Sequence, residues 1–226
     1  MIQIEALHKI YGTKKVLNGI SIQFEQGKVY GIVGENGAGK TTLFKCICGL
    51  EKYQGSITAT ENSLKNHIGY LPTEMYFFEK ITGREYIQLL SNARNRIIQS
   101  IEDKNIFNLP LDQYVSDYST GMKKKLALTA ILLQENQYYI LDEPFNGVDI
   151  QSNLIITEII LELKRLGKTV LISSHIFATL KETCDLIFRL QEGKITQTVA
   201  QNDFDKLEKE LKQLSIGNMI ERLDLK

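Results

Sequence analysis

The chain has 226 residues, of which 43% are hydrophobic and 24% charged, with only 3 prolines. That length holds one domain and an appended piece at roughly 150 residues per domain, and the composition excludes collagen-like, low-complexity and wholly disordered chains. The 27 basic and 27 acidic residues cancel, which removes the positive surplus that nucleic-acid binders use against phosphates; the longest uncharged run, 169–180, is too short to cross a bilayer.

Short β segments open the chain at 2–7, at 16–24 with Ile20, Ile22 and Phe24 alternating, and at 29–33 between glycines. The first residues, Met1-Ile2-Gln3-Ile4-Glu5, show no charged leader ahead of an apolar run, so the chain is expected in the cytoplasm. A glycine-rich loop leads into a helix that runs from Gly39 until Gly49 breaks it, and 57–59 and 68–71 read as strands. From Thr82 to about Leu109 the pattern is helical and charged and is closed by Pro110; this is the candidate subdomain.

Downstream the reading is helix 120–134, strand 138–141, helix 151–166, strand 169–173 and a short helix 176–183. Such alternation implies a parallel sheet with helices on both faces. A hairpin follows, 186–190 and 194–198 around Gln191-Glu192-Gly193, and then an amphipathic tail with Phe204, Leu207, Leu211 and Leu214 at helical spacing. Cys46 and Cys48, two apart in an apolar helix, point different ways and read as packing residues, and Lys123, Lys124 and Lys125 read as a solvated helix face.

Chemistry concentrates at two places. Gly34-Glu35-Asn36-Gly37-Ala38-Gly39-Lys40-Thr41 is a P-loop pattern lying after a strand and before a helix. Glycines let backbone N–H groups wrap phosphate oxygens, and the helix N-terminus adds the positive end of its dipole. Lys40 would reach the β- and γ-phosphates and the Thr41 hydroxyl would ligate magnesium. The second place is Tyr138-Tyr139-Ile140-Leu141-Asp142-Glu143, an apolar strand ending in two acids. Asp142 would hold the magnesium through water and Glu143 would polarise the attacking water.

Further motifs follow in an order that resembles the nucleotide-binding subunits of ATP-binding cassette (ABC) transporters. Tyr118-Ser119-Thr120-Gly121-Met122 is similar to that family's Leu-Ser-Gly-Gly-Gln signature, Asn146-Gly147-Val148-Asp149 to its D-loop, and His175 after Ser173-Ser174 to its switch histidine. Tyr11 stands where the family places an aromatic that stacks on adenine. The likeness spans about residues 1–198. It departs at Tyr118 for leucine, Thr120 for the first glycine and Met122 for glutamine, and Thr73 stands in place of the Q-loop glutamine, with Glu74 beside it as the alternative. The span from Lys40 to Ser119 is compact for this family.

The resemblance implies an α/β fold: a P-loop NTPase core with a mostly parallel sheet, an N-terminal antiparallel β subdomain and a small helical subdomain. The expected division is 1–72 for the β subdomain and first part of the core, 73–118 for the Q-loop and helical subdomain, 119–200 for the signature helix and second part of the core, and 201–226 for the tail. The implied activity is hydrolysis of ATP with magnesium: Glu143 as general base, Lys40 and His175 stabilising charge on the γ-phosphate, and Thr41, Asp142 and Thr73 as metal residues. Gly34, Asn36, Gly37, Ala38, Gly39, Lys40, Thr41, Thr42 and Tyr11 would bind the nucleotide, joined by Ser119, Gly121 and Asp149.

Because the family's signature closes on the γ-phosphate held by the opposite subunit, the expected partners are a second copy or a related subunit, and a separately encoded transmembrane permease. No nucleic acid is expected, and the membrane is met only through the permease, on the inner face of the cell membrane. The motif spelling is most similar to drug, antibiotic and lantibiotic exporters. The alternatives are a soluble ATPase of the same superfamily, or a regulatory or immunity module that dimerises on ATP. Met75-Tyr76-Phe77-Phe78 is an apolar run, part of which would line the groove that receives a cytoplasmic helix of the permease.

Overall fold

The computed structural model describes residues 1–216. Two sheets organise it. In the first, β1 (Ile2–Tyr11) lies between β2 (Lys14–Phe24) and β4 (Gln54–Ala59), antiparallel to both. Ile2, Ile4 and Leu7 of β1 are all buried although the last two are three apart, a spacing that would turn Leu7 to the solvent side in a regular strand. A bulge resolves this: Ala6 takes φ 46° and the register to β2 shifts between Ile4 and Leu7, which returns Leu7 to the core side.

The second sheet has the order β5-β6-β7-β3-β8-β9. Strands β5 (Ile68–Leu71), β6 (Tyr138–Asp142), β7 (Thr169–Ser173), β3 (Val29–Val33) and β8 (Leu186–Gln191) run parallel, and β9 (Lys194–Ala200) returns antiparallel through the hairpin at Glu192-Gly193. Every residue of β3, β6 and β7 is buried, because both faces are covered. Val29, Val33, Tyr139, Leu141, Val170 and Ile172 face one cluster, shared with α3 (Thr120–Leu132), α4 (Ile150–Arg165), α5 (Phe177–Thr183) and α6 (Phe204–Ile216). Tyr30, Ile32, Tyr138, Ile140 and Leu171 face the other, shared with α1 (Lys40–Ile47) and the antiparallel sheet. The strand period of two thus assigns alternate side chains to two cores. Cys46 and Cys184 are buried and free, and burial pushes their thiols up to about 11 and about 12, so they act as apolar packing.

The region between Thr82 and Leu109 departs from the helical reading. Its helix, α2 (Gly83–Asn92), starts at a capping box: the Glu85 N–H donates to Thr82 Oγ1 at 3.2 Å, and the Glu85 carboxylate accepts from the Thr82 N–H at 2.8 Å. Beyond it Asn95, Ser100 and Asn108 take positive φ, which ends helical winding, and only a 3-10 turn at Glu102–Lys104 recurs. The charges that resembled a helical face instead close loops. Arg84 pairs with Asp112 at 2.8 Å and also with Glu102. The Asn105 amide clamps Leu109 by two bonds of 2.8 and 2.9 Å. Of the tail, α6 continues to Ile216, and 217–226 lies outside the described residues.

Tyr118, the departure from leucine in the signature, is 4% exposed, and its hydroxyl donates to Pro110 O at 2.7 Å. It occupies the space against Gly83, where a Cβ would lie 2.6 Å from that hydroxyl. Tyr118→Phe leaves the Pro110 carbonyl without this donor and should lower unfolding stability by about 1 kcal/mol in chemical denaturation, with the secondary structure unchanged.

Candidate functional site

The P-loop leaves β3 at Val33 and enters α1 at Lys40. Its glycines are steric necessities. A Cβ on Gly34 would sit 2.2 Å from Leu190 O, and Gly39 takes φ 111° with the side chain of Leu17 2.9 Å from where its Cβ would be. Lys40 is buried and arches back over the loop, donating to Gly34 O at 2.7 Å and Glu35 O at 3.3 Å. Burial lowers its pKa from the ordinary lysine value, opposed by the nearby Glu143 and Asp142 carboxylates. A loop of this shape ending at a helix N-terminus, with an ammonium folded across it, is an anion site.

The ends of β6 and β7 face this loop. Asp142 is 1% exposed and accepts from Thr41 Oγ1 at 2.6 Å on one oxygen and from Ser173 Oγ at 2.5 Å on the other. Glu143 leaves the strand in the left-handed region, φ 55°, a costly conformation for a glutamate. Its N–H is held by Ser173 Oγ at 3.0 Å, and its Oε2 accepts from the His175 N–H at 3.2 Å. Glu143 Oε1 lies 3.1 Å from His175 Nε2 but accepts no hydrogen bond of proper geometry, although it is buried.

A cleft of about 460 Å³ joins these pieces, lined by Tyr11, Asn36, Gly37, Gly39, Lys40, Thr41, Thr42, Thr73, Asp142, Glu143 and His175. Tyr11, 42% exposed, stands in its wall with Lys9 Nζ 4.4 Å over one ring face. Lys9 is held by Glu51 and by Lys52 O, each at 2.8 Å. Gly34 and Ala38 belong to the loop but line neighbouring hollows.

Ser119, Gly121 and Asp149 are not among the residues lining this cleft. Ser119 caps α3, accepting from the Met122 N–H at 3.2 Å. Gly121 lies against the Gly147 carbonyl, where a Cβ would approach to 2.7 Å. Asp149 caps α4, accepting from the Ser152 N–H at 2.8 Å and from Lys125 at 3.2 Å. The Ser152 N–H, ahead of the Ser152 hydroxyl and Lys125, holds its carboxyl well below the usual carboxylate range.

The lysine run is not one solvated face. Lys124 does not belong to a solvated face: it is 2% exposed and donates to Glu143 O at 2.6 Å and Asn146 O at 2.7 Å. Its spacing with Ala127, Leu128 and Ile131, all buried, is the i, i+3, i+4, i+7 pattern of an inward stripe, and that signal was available in the sequence. Ser173, which bridges both acids, had no signal beyond its place before His175.

Residues 17–146 match the ABC transporter family. The chain belongs to that family. It is an ATP-binding subunit and an ATPase, with the fold expected of one. An uncharacterized ABC transporter ATP-binding protein of Methanocaldococcus jannaschii is 31% identical over 98% of this chain and 86% of its own length. The bacitracin transport ATP-binding protein of Enterococcus faecalis is 31% identical over 96% of this chain and 75% of its own. A solved ATP-binding subunit of an ABC transporter superposes with a TM-score of 0.81 at 26% identity, over 94% of this chain and 99% of that one. No helix among the described residues of this ABC subunit is long and apolar enough to cross a membrane.

Ser173 donates to Asp142 and accepts from the Glu143 N–H through one hydroxyl, so its loss frees an Asp142 oxygen and leaves the Glu143 N–H only the Ser173 carbonyl at 3.2 Å. Ser173→Ala should cut ATP hydrolysis roughly 10- to 100-fold, the usual effect of removing an outer partner, in a steady-state phosphate-release assay.

Proposed function

We propose that this ABC subunit hydrolyses ATP with magnesium as half of a head-to-tail dimer and drives a separate transmembrane permease, moving an antibiotic-like compound outward. One observation carries the reading. Acids and phosphate loop converge in an open cleft, while the capped Ser119–Gly121 turn lies apart from it on the same chain. A nucleotide on the P-loop is left open on one side, and a second copy presenting Ser119 and Gly121 closes it. Two such chains bury two ATP molecules between them, and loss of the γ-phosphate contacts after hydrolysis loosens the pair.

The residues divide the work as follows. Lys40, which caps the Gly34 and Glu35 carbonyls, turns its ammonium to the β- and γ-phosphates. Tyr11 offers its free ring face to the base, and Asn36, Gly37, Gly39 and Thr42 line the phosphate path. Thr41 and Asp142 hold two oxygens 2.6 Å apart, with Thr73 in the same cleft. This hard, oxygen-only donor set suits magnesium, which Thr41 and Asp142 would hold beside the phosphates. Magnesium, when bound, neutralises charge on the phosphates.

Glu143 Oε1, buried and lacking a donor, accepts a proton from the attacking water while the water oxygen bonds to the γ-phosphorus. The bond from that phosphorus to the β–γ bridging oxygen breaks, and ADP takes the electron pair. His175 holds the Glu143 carboxylate and faces the same space. Asp149, tied to the α4 cap, carries the D-loop into the dimer.

The likeness to the bacitracin transport protein supports an antibiotic-type cargo, and the motif spelling supports export. For the permease, the exposed residues of the 75–78 run are Tyr76 and Phe78, at 78% and 56%, with rings edge to face at 5.7 Å. Phe77 is turned inward onto Tyr86, with ring centroids 4.7 Å apart. Tyr76 and Phe78 seat a cytoplasmic helix of the permease, which places the subunit on the inner membrane face.

Glu143→Gln should bind ATP and dimerise with turnover reduced about 100-fold or more, measured by steady-state hydrolysis and gel filtration. Wild-type turnover there refutes Glu143 as the base. Tyr76→Ser with Phe78→Ser should keep ATP hydrolysis by the isolated subunit and weaken co-purification with the permease; unchanged recovery sinks that contact.

A further inference from the structure

We infer that Lys124 is a positioning residue for hydrolysis, its ammonium fixing the turn that aims the Glu143 carboxylate into the cleft. The inference rests on the reading of Glu143 as general base. Lys124 is the fifth residue of α3, and both of its hydrogen-bond acceptors are main-chain carbonyls, Glu143 O and Asn146 O. An ammonium placed in such a dry position loses its hydration, and its two carbonyl acceptors with the nearby Glu143 and Asp142 carboxylates repay this only in part. Packing by itself is served by an apolar side chain, so the charge has another use. It makes bonds to the turn that are stronger than a neutral donor would make.

The turn needs them. Glu143 is a non-glycine residue at φ 55°, a conformation that persists only where its surroundings over-determine it. Its N–H side is fixed by Ser173, through Oγ at 3.0 Å and the carbonyl at 3.2 Å. Its carbonyl side is fixed by the Asn146 N–H at 3.3 Å and by Lys124 at 2.6 Å. From this doubly held backbone the side chain runs to His175 and lines the cleft with the P-loop. The neighbouring lysines do not share this role: Lys125 pairs with Asp149, and Lys123 reaches no closer than 3.5 Å to Ser116 O. Gly121 lies against Gly147 O in the same interface, so the signature turn and the Glu143 turn form one body.

The test is steady-state ATP hydrolysis by the full chain, comparing wild type, Lys124→Met and Glu143→Gln. Lys124→Met should lower kcat about tenfold or more while KM for ATP stays within about twofold, because small misplacement of a reacting group costs rate and leaves the phosphate loop intact. A kcat within about twofold of wild type, or a loss confined to KM, overturns the positioning role. Glu143→Gln separates the two readings: if it hydrolyses ATP at the wild-type rate, the base assignment fails whatever Lys124 does. If it is inactive while Lys124→Met is not, the base stands and the inference fails. Should Lys124→Met not yield folded protein by circular dichroism, Lys124→Gln keeps a neutral donor at this place, and a fall in kcat of about threefold or more at constant KM is then required.

Discussion

A single buried carboxylate ties the candidate site together. Asp142 gives one oxygen to Thr41 at the start of α1 and the other to Ser173 at the end of β7, which ties the phosphate loop to the sheet. Two hydroxyl donors, with the Lys40 ammonium near, offset the cost of holding a charge that is 1% exposed. Remove the parallel pairing of β6 with β7 and Asp142 no longer faces Ser173. The sheet order therefore matters to the chemistry more than the length of any strand.

The helical side of the sheet repeats this economy of parts. The helix α3 begins at the Ser119 cap, presses Gly121 against Gly147, and sends Lys124 under the turn that carries Glu143. One element thus supports the turn that carries Glu143 and, in the proposed dimer, offers the signature turn to a second copy. Tyr118, just ahead of it, is bonded to Pro110 and filled in by Gly83, so the compact subdomain is fastened to the start of the same helix.

Much of this was legible in the sequence because local chemistry leaves little choice. The P-loop is legible from the spacing of its glycines before Lys40-Thr41, although the contacts that demand Gly34 and Gly39, with Leu190 O and Leu17, come from other strands. The strands of the parallel sheet are short apolar runs, and the acids at 142 and 143 mark where one of them ends. The stretch after α2 was not legible, since a charge pattern compatible with a helix was used for loop closure by Arg84, and three positive-φ residues ended the winding. Lys124 was misread for a related reason: in a run of three lysines the charge outweighs the helical spacing that turns one of them inward.

What the sequence by itself determined is the family, the phosphate loop, the two acids and the alternation of strand and helix, all of which are written in neighbouring residues. Only the tertiary structure decided which residues meet from far apart. It brings Thr41 to Asp142, Ser173 to both acids and Lys124 to the Glu143 carbonyl, and it keeps Ser119 and Gly121 out of their own chain's cleft. The physical reason is that strand order and helix packing set distances between residues remote in the chain, and no local propensity encodes those distances.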